Sequence, residues 1–167
     1  KLDKFDGRDW VDLLKNRPMF AEYCPWEKLS AEDWCLLLAV QPRFAEHFDF
    51  RRFSGWHWAY LLVRQPQFAE LCPFWDKFYR DDWGKLIAGQ PQFADRCDLS
   101  VLGRWDWVRI LSSQPQLADK CPAWCWENFD GDCWSSLLIN QPQFADRCDW
   151  KKLNSHLQKS LITQHPE

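Results

Sequence analysis

Hydrophobic residues recur along the chain in a helical pattern that starts again about every 24 residues. Trp10 is followed three and four residues later by Leu13 and Leu14, and this spacing places the three side chains on one face of an α-helix. The same pattern starts at six tryptophans, here called framework tryptophans, which are Trp10, Trp34, Trp58, Trp83, Trp107 and Trp134. We therefore predict an amphipathic helix of about ten residues at each one.

Residues with N-cap propensity mark the start of each predicted helix. They stand four residues before each framework tryptophan, and before Gln158 in the last copy. They are Asp6, Ser30, Ser54, Tyr79, Gly103, Asp130 and Asn154, most of which are good N-caps. Aspartates three residues further on suit the positive end of a helix, and these are Asp9, Asp33, Asp82 and Asp106.

A proline follows each framework tryptophan by eight residues. The prolines at 18, 42, 66, 91, 115, 142 and 166 are 24, 24, 25, 24, 27 and 24 residues apart. The residue before a proline is driven out of the α region, so the first helix must end there. Proline is well suited to the first position of a helix, so we predict that a second helix of about six residues begins at each one.

Helices this short are marginal in isolation, so consecutive copies must stack on one another to bury their apolar faces. We predict an all-α fold, a right-handed or otherwise curved α-solenoid of short two-helix repeats. A single repeat domain, 1–167, would comprise repeats 5–28, 29–52, 53–77, 78–101, 102–128 and 129–152 and a partial cap, 153–167. The longer intervals arise from one extra residue near 73–75 and three near 123–125, which predicts a surface edge there.

The repeat carries the sequence Gln-Pro-Gln-Phe-Ala-Asp at 90–95 and 141–146. In period and layout it resembles the leucine-rich-repeat-variant α-solenoids, whose 24-residue unit alternates an α-helix with a short 3₁₀ helix. That family has Asn-Pro where this chain has Gln-Pro, and this chain lacks both its second proline and an upstream cysteine cluster for an iron–sulfur centre. The resemblance implies the fold and no cofactor. The six-residue motif also resembles tandem repeats in uncharacterised bacterial proteins.

Composition narrows the class of partner. The formal net charge of −3 argues against binding to a phosphate backbone, and no apolar run is long enough for a membrane span.

The only methionine is Met19, and the chain opens with a ready-made repeat element, so we expect a piece of a longer protein. We expect a monomer. Unpaired cysteines favour the cytoplasm over a secreted or surface location.

Five of the eight cysteines occupy one repeat position, and these are Cys24, Cys72, Cys97, Cys121 and Cys148. The second copy has Phe48 there, so the position is apolar and we predict a ladder of buried, reduced thiols. Cys121, Cys125 and Cys133 lie together in the copy with the insertion and offer a local disulfide or a metal site. No CxxC motif is present, so we predict no metal.

The carboxylates and glutamines near each proline also follow the repeat. One acidic residue per copy forms a regular row with no unique cluster, which argues against an enzyme. Two interpretations fit the five glutamines that precede a proline, an amide ladder along one face or satisfaction of backbone groups at the turn, and these are Gln41, Gln65, Gln90, Gln114 and Gln141. We favour the second.

Function is expected at residues that do not follow the repeat. Trp56 and Trp105, two residues before a framework tryptophan, stand out as aromatic anchors, although padding between copies is an equal alternative. The candidate binding residues are Trp56, Tyr60, Trp75, Trp105, Arg109 and Trp124. They indicate a non-catalytic scaffold that binds a protein or peptide. The alternatives are a structural spacer or surface module of a longer bacterial protein and, third, nucleic-acid or sugar binding through the same aromatics.

Overall fold

The computed structural model describes residues 2–164 as a succession of helices, with no strand among them. The α-helices are α1 (Gly7–Asn16), α2 (Ala31–Leu38), α3 (Gly55–Arg64), α4 (Arg80–Gly89), α5 (Arg104–Ser113), α6 (Ala123–Glu127), α7 (Gly131–Asn140) and α8 (Ser155–Gln164). The predicted all-α fold is confirmed. Six of the helices contain a framework tryptophan, and α1, α3, α4, α5 and α7 end two residues before a proline.

The chain divides into two compact units, Lys1–Tyr79 and Arg80–Glu167. In unit 1, α1 packs on α2 and α2 packs on α3. In unit 2, α4 packs on α5, α5 on α7, and α7 on α8. Within each unit the helices therefore stack in sequence order, which is the packing expected of an α-solenoid.

The predicted N-cap residues begin the helices. In α1 the Asp6 carboxylate accepts the Asp9 N–H (2.9 Å) while the Asp9 carboxylate accepts the Asp6 N–H (3.1 Å), a reciprocal capping box. In α2, Ser30 and Asp33 form the same pair of bonds. Ser54, Gly103 and Asp130 occupy the N-cap position of α3, α5 and α7, in agreement with the sequence.

The second helix of each repeat is a tight 3₁₀ helix of six residues with the proline at its first position. These proline helices are Pro18–Tyr23, Pro42–His47, Pro66–Leu71, Pro91–Arg96, Pro115–Lys120 and Pro142–Arg147. The structure adds a third element to most repeats, a single 3₁₀ turn here called the connector helix. The connector helices are Leu2–Lys4, Trp26–Lys28, Phe50–Arg52, Trp75–Lys77, Leu99–Val101 and Trp150–Lys152.

Four of the glutamines that precede a repeat proline join their repeat to the preceding one in the same unit. Each side-chain N–H donates to a backbone carbonyl at the end of the preceding repeat's α-helix, where carbonyls have no partner within the helix. The bonds are Gln41 to Lys15 (2.8 Å), Gln65 to Ala39 (2.8 Å), Gln114 to Ala88 (2.8 Å) and Gln141 to Ser112 (2.6 Å). These amides therefore satisfy backbone groups, as the sequence favoured, but the groups belong to the preceding repeat and not to the turn itself.

Aromatic triads fill the core of each unit. In unit 1, Trp34 lies between the connector ring of Trp26 (centroids 5.1 Å apart) and Phe48 (5.0 Å), and Trp26 also contacts Phe44 (5.5 Å). The rings of Phe50, Trp58 and Phe68 in the next repeat, and of Trp126, Trp134 and Phe144 in unit 2, occupy matching places. The framework tryptophans are between 0% and 6% exposed. Their burial removes large apolar surfaces from water and so stabilises the fold.

The two longer intervals are accommodated where the sequence predicts, after a proline helix. The three extra residues replace a connector helix by α6, in which Trp126 keeps the core position and Ala123 and Trp124 are exposed. In the last copy, Gln158 stands in place of a framework tryptophan, and its amide donates to the carbonyls of Trp150 (2.8 Å) and Leu153 (3.0 Å). Residues 165–167 of the predicted cap, including the last proline, lie outside the described residues.

Candidate binding surface

The six candidate residues do not form one cluster. Trp56 and Tyr60 lie one turn apart on α3 in unit 1, and Trp105 and Arg109 lie one turn apart on α5 in unit 2. Trp75 begins a connector helix, and Trp124 belongs to α6. The structure therefore brings together two pairs, one in each unit.

Trp75 belongs to the framework. It stands eight residues before Trp83, just as Trp26 stands eight before Trp34. Its half-buried ring packs on Phe78 with the centroids 5.4 Å apart. It therefore shares the core role of the other connector rings, and the sequence interpretation of Trp75 as a variable aromatic missed this equivalence.

Trp124 is 43% exposed and lies in the inserted segment of the connector. Its backbone carbonyl accepts the Asn128 amide at 2.7 Å, which helps to hold the short helix α6. Trp124 is thus a surface aromatic at the connector edge, separate from the residues displayed by α3 and α5.

The outward face of α3 carries a stripe of two aromatics and a cation. Trp56, Tyr60 and Arg64 are spaced four residues apart, so they lie above one another on one side of the helix. Trp56 is 47% exposed and Tyr60 is half-buried. The guanidinium carbon of Arg64 lies 3.6 Å from the centroid of the Tyr60 ring, which extends the flat surface by one side chain. Arg64 was not among the predicted binding residues, although its position four residues after Tyr60 places it on the same face of the predicted helix.

Packing against buried rings fixes the orientation of the Trp56 indole. Its ring stacks on the buried imidazole of His57 (3.8 Å between centroids), and His57 in turn lies parallel to the buried ring of Phe53 (5.1 Å, 5° between planes). The three rings form a column from the core to the surface. A partner that contacts Trp56 would therefore meet a ring already fixed in one orientation, which reduces the entropy cost of binding.

His57 replaces the capping aspartate found in α1 and α2. Its Nδ1 accepts the backbone N–H of Ser54 at 3.1 Å and lies 2.8 Å from the Ser54 hydroxyl. Both contacts suit a neutral ring with an unprotonated Nδ1. Burial lowers the pKa of His57, and the carboxylate of Glu32 on α2 opposes that shift. The column beneath Trp56 is therefore uncharged at neutral pH.

The neighbouring helix of unit 1 widens the surface. Glu32, Leu36 and Val40 follow the same four-residue spacing along α2 and the turn after it. Leu36 is half-buried and Val40 is 53% exposed. Because α2 and α3 pack side by side, the two stripes form one face, here called the α2/α3 face: Glu32, Leu36, Val40, Trp56, Tyr60 and Arg64.

The corresponding residues of unit 2 form an ion-pair network. Arg109 on α5 reaches Asp81 on α4 at 2.9 Å, and Lys85 pairs with the same carboxylate at 2.5 Å. Hydrogen bonds from Lys85 and then from Arg109 lower the pKa of Asp81. Trp105, 47% exposed, is one turn from Arg109. In unit 2 the cation is therefore neutralised within the protein, whereas Arg64 has no carboxylate within ion-pair distance among the residues that the structure describes.

All eight cysteines are free, and seven of them are buried; the predicted burial of the ladder position holds for four of its five cysteines. Cys24, Cys72, Cys121 and Cys148 are buried on the ladder, and Cys97 is partly accessible. Burial raises the pKa of Cys24 and Cys35 to about 12, and that of Cys97, Cys133 and Cys148 to about 11. A hydrogen bond to Cys125 and burial raise the pKa of Cys121. These thiols are protonated at neutral pH, which makes them poor nucleophiles.

Some carboxylates of the row that stands four residues after the prolines form surface ion pairs between repeats. In unit 2, Lys120 contacts Asp95 at 2.6 Å and Arg147 contacts Asp119 at 4.0 Å, each from the following repeat. Within residues 2–164, no group of three or more His, Cys, Asp and Glu side chains is arranged to hold a metal ion. None of the helices described is both long and apolar enough to cross a membrane.

The fold defines an all-α repeat protein whose variable surface residues are displayed on α-helices. Comparison with known proteins finds no family model, no curated protein and no solved structure that matches this chain. The evidence for function therefore comes from the exposed residues of this chain.

Proposed function

We propose that the chain is a non-catalytic scaffold that binds a protein or peptide through the outward faces of its α-helices. The observation that carries this proposal is the contrast between two tryptophans on one helix. Trp58 on α3 is 0% exposed, whereas Trp56, two residues earlier, is 47% exposed and is stacked on a buried imidazole. A large ring that is exposed and immobilised is typical of a binding anchor.

The position of the anchors supports the same function. Trp56 occupies the position held by Arg8, Glu32, Asp81, Trp105 and Asp132 in the other repeats. The frame therefore repeats while this position varies, which is how repeat proteins adapt a constant architecture to a particular partner. A spacer would have no reason to present a fixed aromatic surface of this kind to water.

Selection of ligands from a random peptide library displayed on phage tests the proposal. The target is the full chain, and the Trp56→Ala and Trp105→Ala variants serve for counter-selection. Tyr23→Ala is the matched control, because Tyr23 is an aromatic residue that is 59% exposed but lies on a proline helix. We expect enriched peptides that bind wild type and Tyr23→Ala but lose affinity for Trp56→Ala or Trp105→Ala. Failure to enrich any peptide, or equal binding to all variants, would refute the proposal.

A further inference from the structure

Resting on the proposed function, we propose that the α2/α3 face binds an extended, proline-containing peptide that carries an acidic residue about four positions from the proline. The proline ring would stack on Trp56, and the carboxylate would pair with Arg64. The rings, the charges and the spacing of the residues on this face each specify one property of the peptide.

The rings determine the conformation of the occupant. The backbone groups of α2 and α3 are used within the helices, so the face offers no strand edge to which a β-strand could add. A polyproline-II segment needs no backbone partner, and such segments dock on surfaces lined by aromatic rings. The indole of Trp56 and the phenol of Tyr60 supply that lining, one turn apart.

The charges determine the sequence of the occupant. Arg64 lies flat on Tyr60 and donates to the Tyr60 carbonyl at 3.2 Å, and no carboxylate pairs with it among the described residues. Its remaining N–H groups are therefore available to a partner's carboxylate. Glu32 stands at the opposite end of the face and is likewise outside any ion pair in the described part of the chain. The two ends of the face therefore differ in charge, which fixes the direction of an asymmetric peptide.

The distance between Trp56 and Arg64 determines how far apart the proline and the acidic residue stand in the peptide. Trp56 and Arg64 are eight residues apart on an α-helix, a separation of about 12 Å along the axis. A polyproline-II chain rises about 3.1 Å per residue, so about four residues span the distance. An acidic side chain four positions from the proline thus reaches Arg64 while the proline covers Trp56.

The test uses capped ten-residue peptides of proline and alanine with one glutamate four positions from a terminal proline. A second peptide has glutamine in place of the glutamate. Binding to the full chain is followed by NMR through the indole N–H signals, with the Trp56 signal identified by its absence from Trp56→Phe. We expect the Trp56 signal to shift, the glutamine peptide to bind about two- to fivefold more weakly, and Trp56→Ala to bind at least about tenfold more weakly.

A charge reversal separates recognition from misfolding. Arg64 is exposed, so Arg64→Glu should keep the wild-type circular dichroism spectrum, and its melting midpoint should fall only by the amount that loss of the Tyr60 contacts and of the helix-end cation explains. This variant should prefer a peptide with lysine at the acidic position, reversing the wild-type order. The proposal is overturned if the glutamate peptide leaves the Trp56 signal unmoved at millimolar concentration, or if the preference does not reverse.

Selection from the phage library separates failure of this inference from failure of the proposed function. Selected peptides that need Trp56 but contain neither a proline nor an acidic residue would contradict this inference and leave the proposed function standing. A sugar that shifts the Trp56 signal would also contradict this inference.

Discussion

At the residue scale, two tryptophans on α5 have opposite surroundings although only one residue separates them. Trp107 is 1% exposed and Trp105 is 47% exposed. Trp107→Ala should lower the free energy of unfolding by about 3–5 kcal/mol because it leaves a cavity in the core. Trp105→Ala should lower it by about 1 kcal/mol or less. Urea denaturation of the two variants measures the difference, and equal losses would mean that Trp105 also belongs to the frame.

His57 makes the stability of α3 depend on pH. Its pKa is lowered in the folded protein, so the unfolded chain binds the proton more readily. The contribution of the neutral ring is complete above the unfolded pKa of about 6.5 and is lost as the pH falls towards the folded pKa. Glu32 faces His57 from α2 and partly offsets the effect. Loss of the cap should cost about 0.5–2 kcal/mol.

The matched variant is His57→Asp, which restores the residue of the other capping boxes. Because an aspartate stays ionised near neutral pH, this variant should show a smaller change in urea midpoint between pH 7.5 and pH 5.5 than wild type. Both proteins retain the other three histidines, His47, His156 and His165, so a difference in pH dependence between them comes from position 57. Identical pH dependence in the two proteins would show that His57 is not the titrating group.

At the element scale, four glutamine side chains bond to the preceding repeat and hold neighbouring repeats together. Gln65→Ala should leave the Ala39 carbonyl without its donor and lower the free energy of unfolding by about 1–3 kcal/mol. Gln67→Ala is the control, because its exposed amide only donates to the Gln65 side chain (2.7 Å) and its loss should cost within about 0.5 kcal/mol. Chemical denaturation of both variants tests the ranking, and a costlier Gln67→Ala would contradict it.

The elements were predictable from the sequence to the extent that each follows the local repeat. The framework tryptophans and the prolines determine where α-helices and proline helices begin, and capping residues such as Asp6 fix the first turn. The connector helices were not predicted, because single 3₁₀ turns have almost no periodicity of their own. Nor could the sequence identify the acceptor of the Gln65 amide, a carbonyl 26 residues earlier that only stacking brings within reach.

The candidate surface was predicted in part for the same reason. Variation at one repeat position revealed Trp56 and Trp105, whereas counting eight residues back from Trp83 would have placed Trp75 in the frame. The pairing of Arg109 with Asp81, against the unpaired state of Arg64 in the described residues, depends on side chains from neighbouring helices. A single repeat does not contain that information.

At the scale of the whole molecule, the two units provide two sets of buried thiols that report on local unfolding. Unit 1 contains Cys24, Cys35 and Cys72, and unit 2 contains the other five cysteines. Each helix is stabilised mainly by its sequence neighbours, so repeat proteins can open in parts. A destabilising core substitution within one unit should therefore expose the thiols of that unit first.

Trp107→Ala provides the test, because Trp107 is in the core of unit 2. In this variant, alkylation of Cys121 and Cys133 by iodoacetamide should accelerate by a larger factor than alkylation of Cys24 and Cys35. Peptide mass spectrometry after timed labelling measures each cysteine separately. Trp58→Ala is the matched control in unit 1 and should reverse the order, since Trp58 is equally buried. If either variant accelerated the labelling of all these cysteines by one common factor, the chain would unfold as a single cooperative body, and the two compact units would have no independent stability.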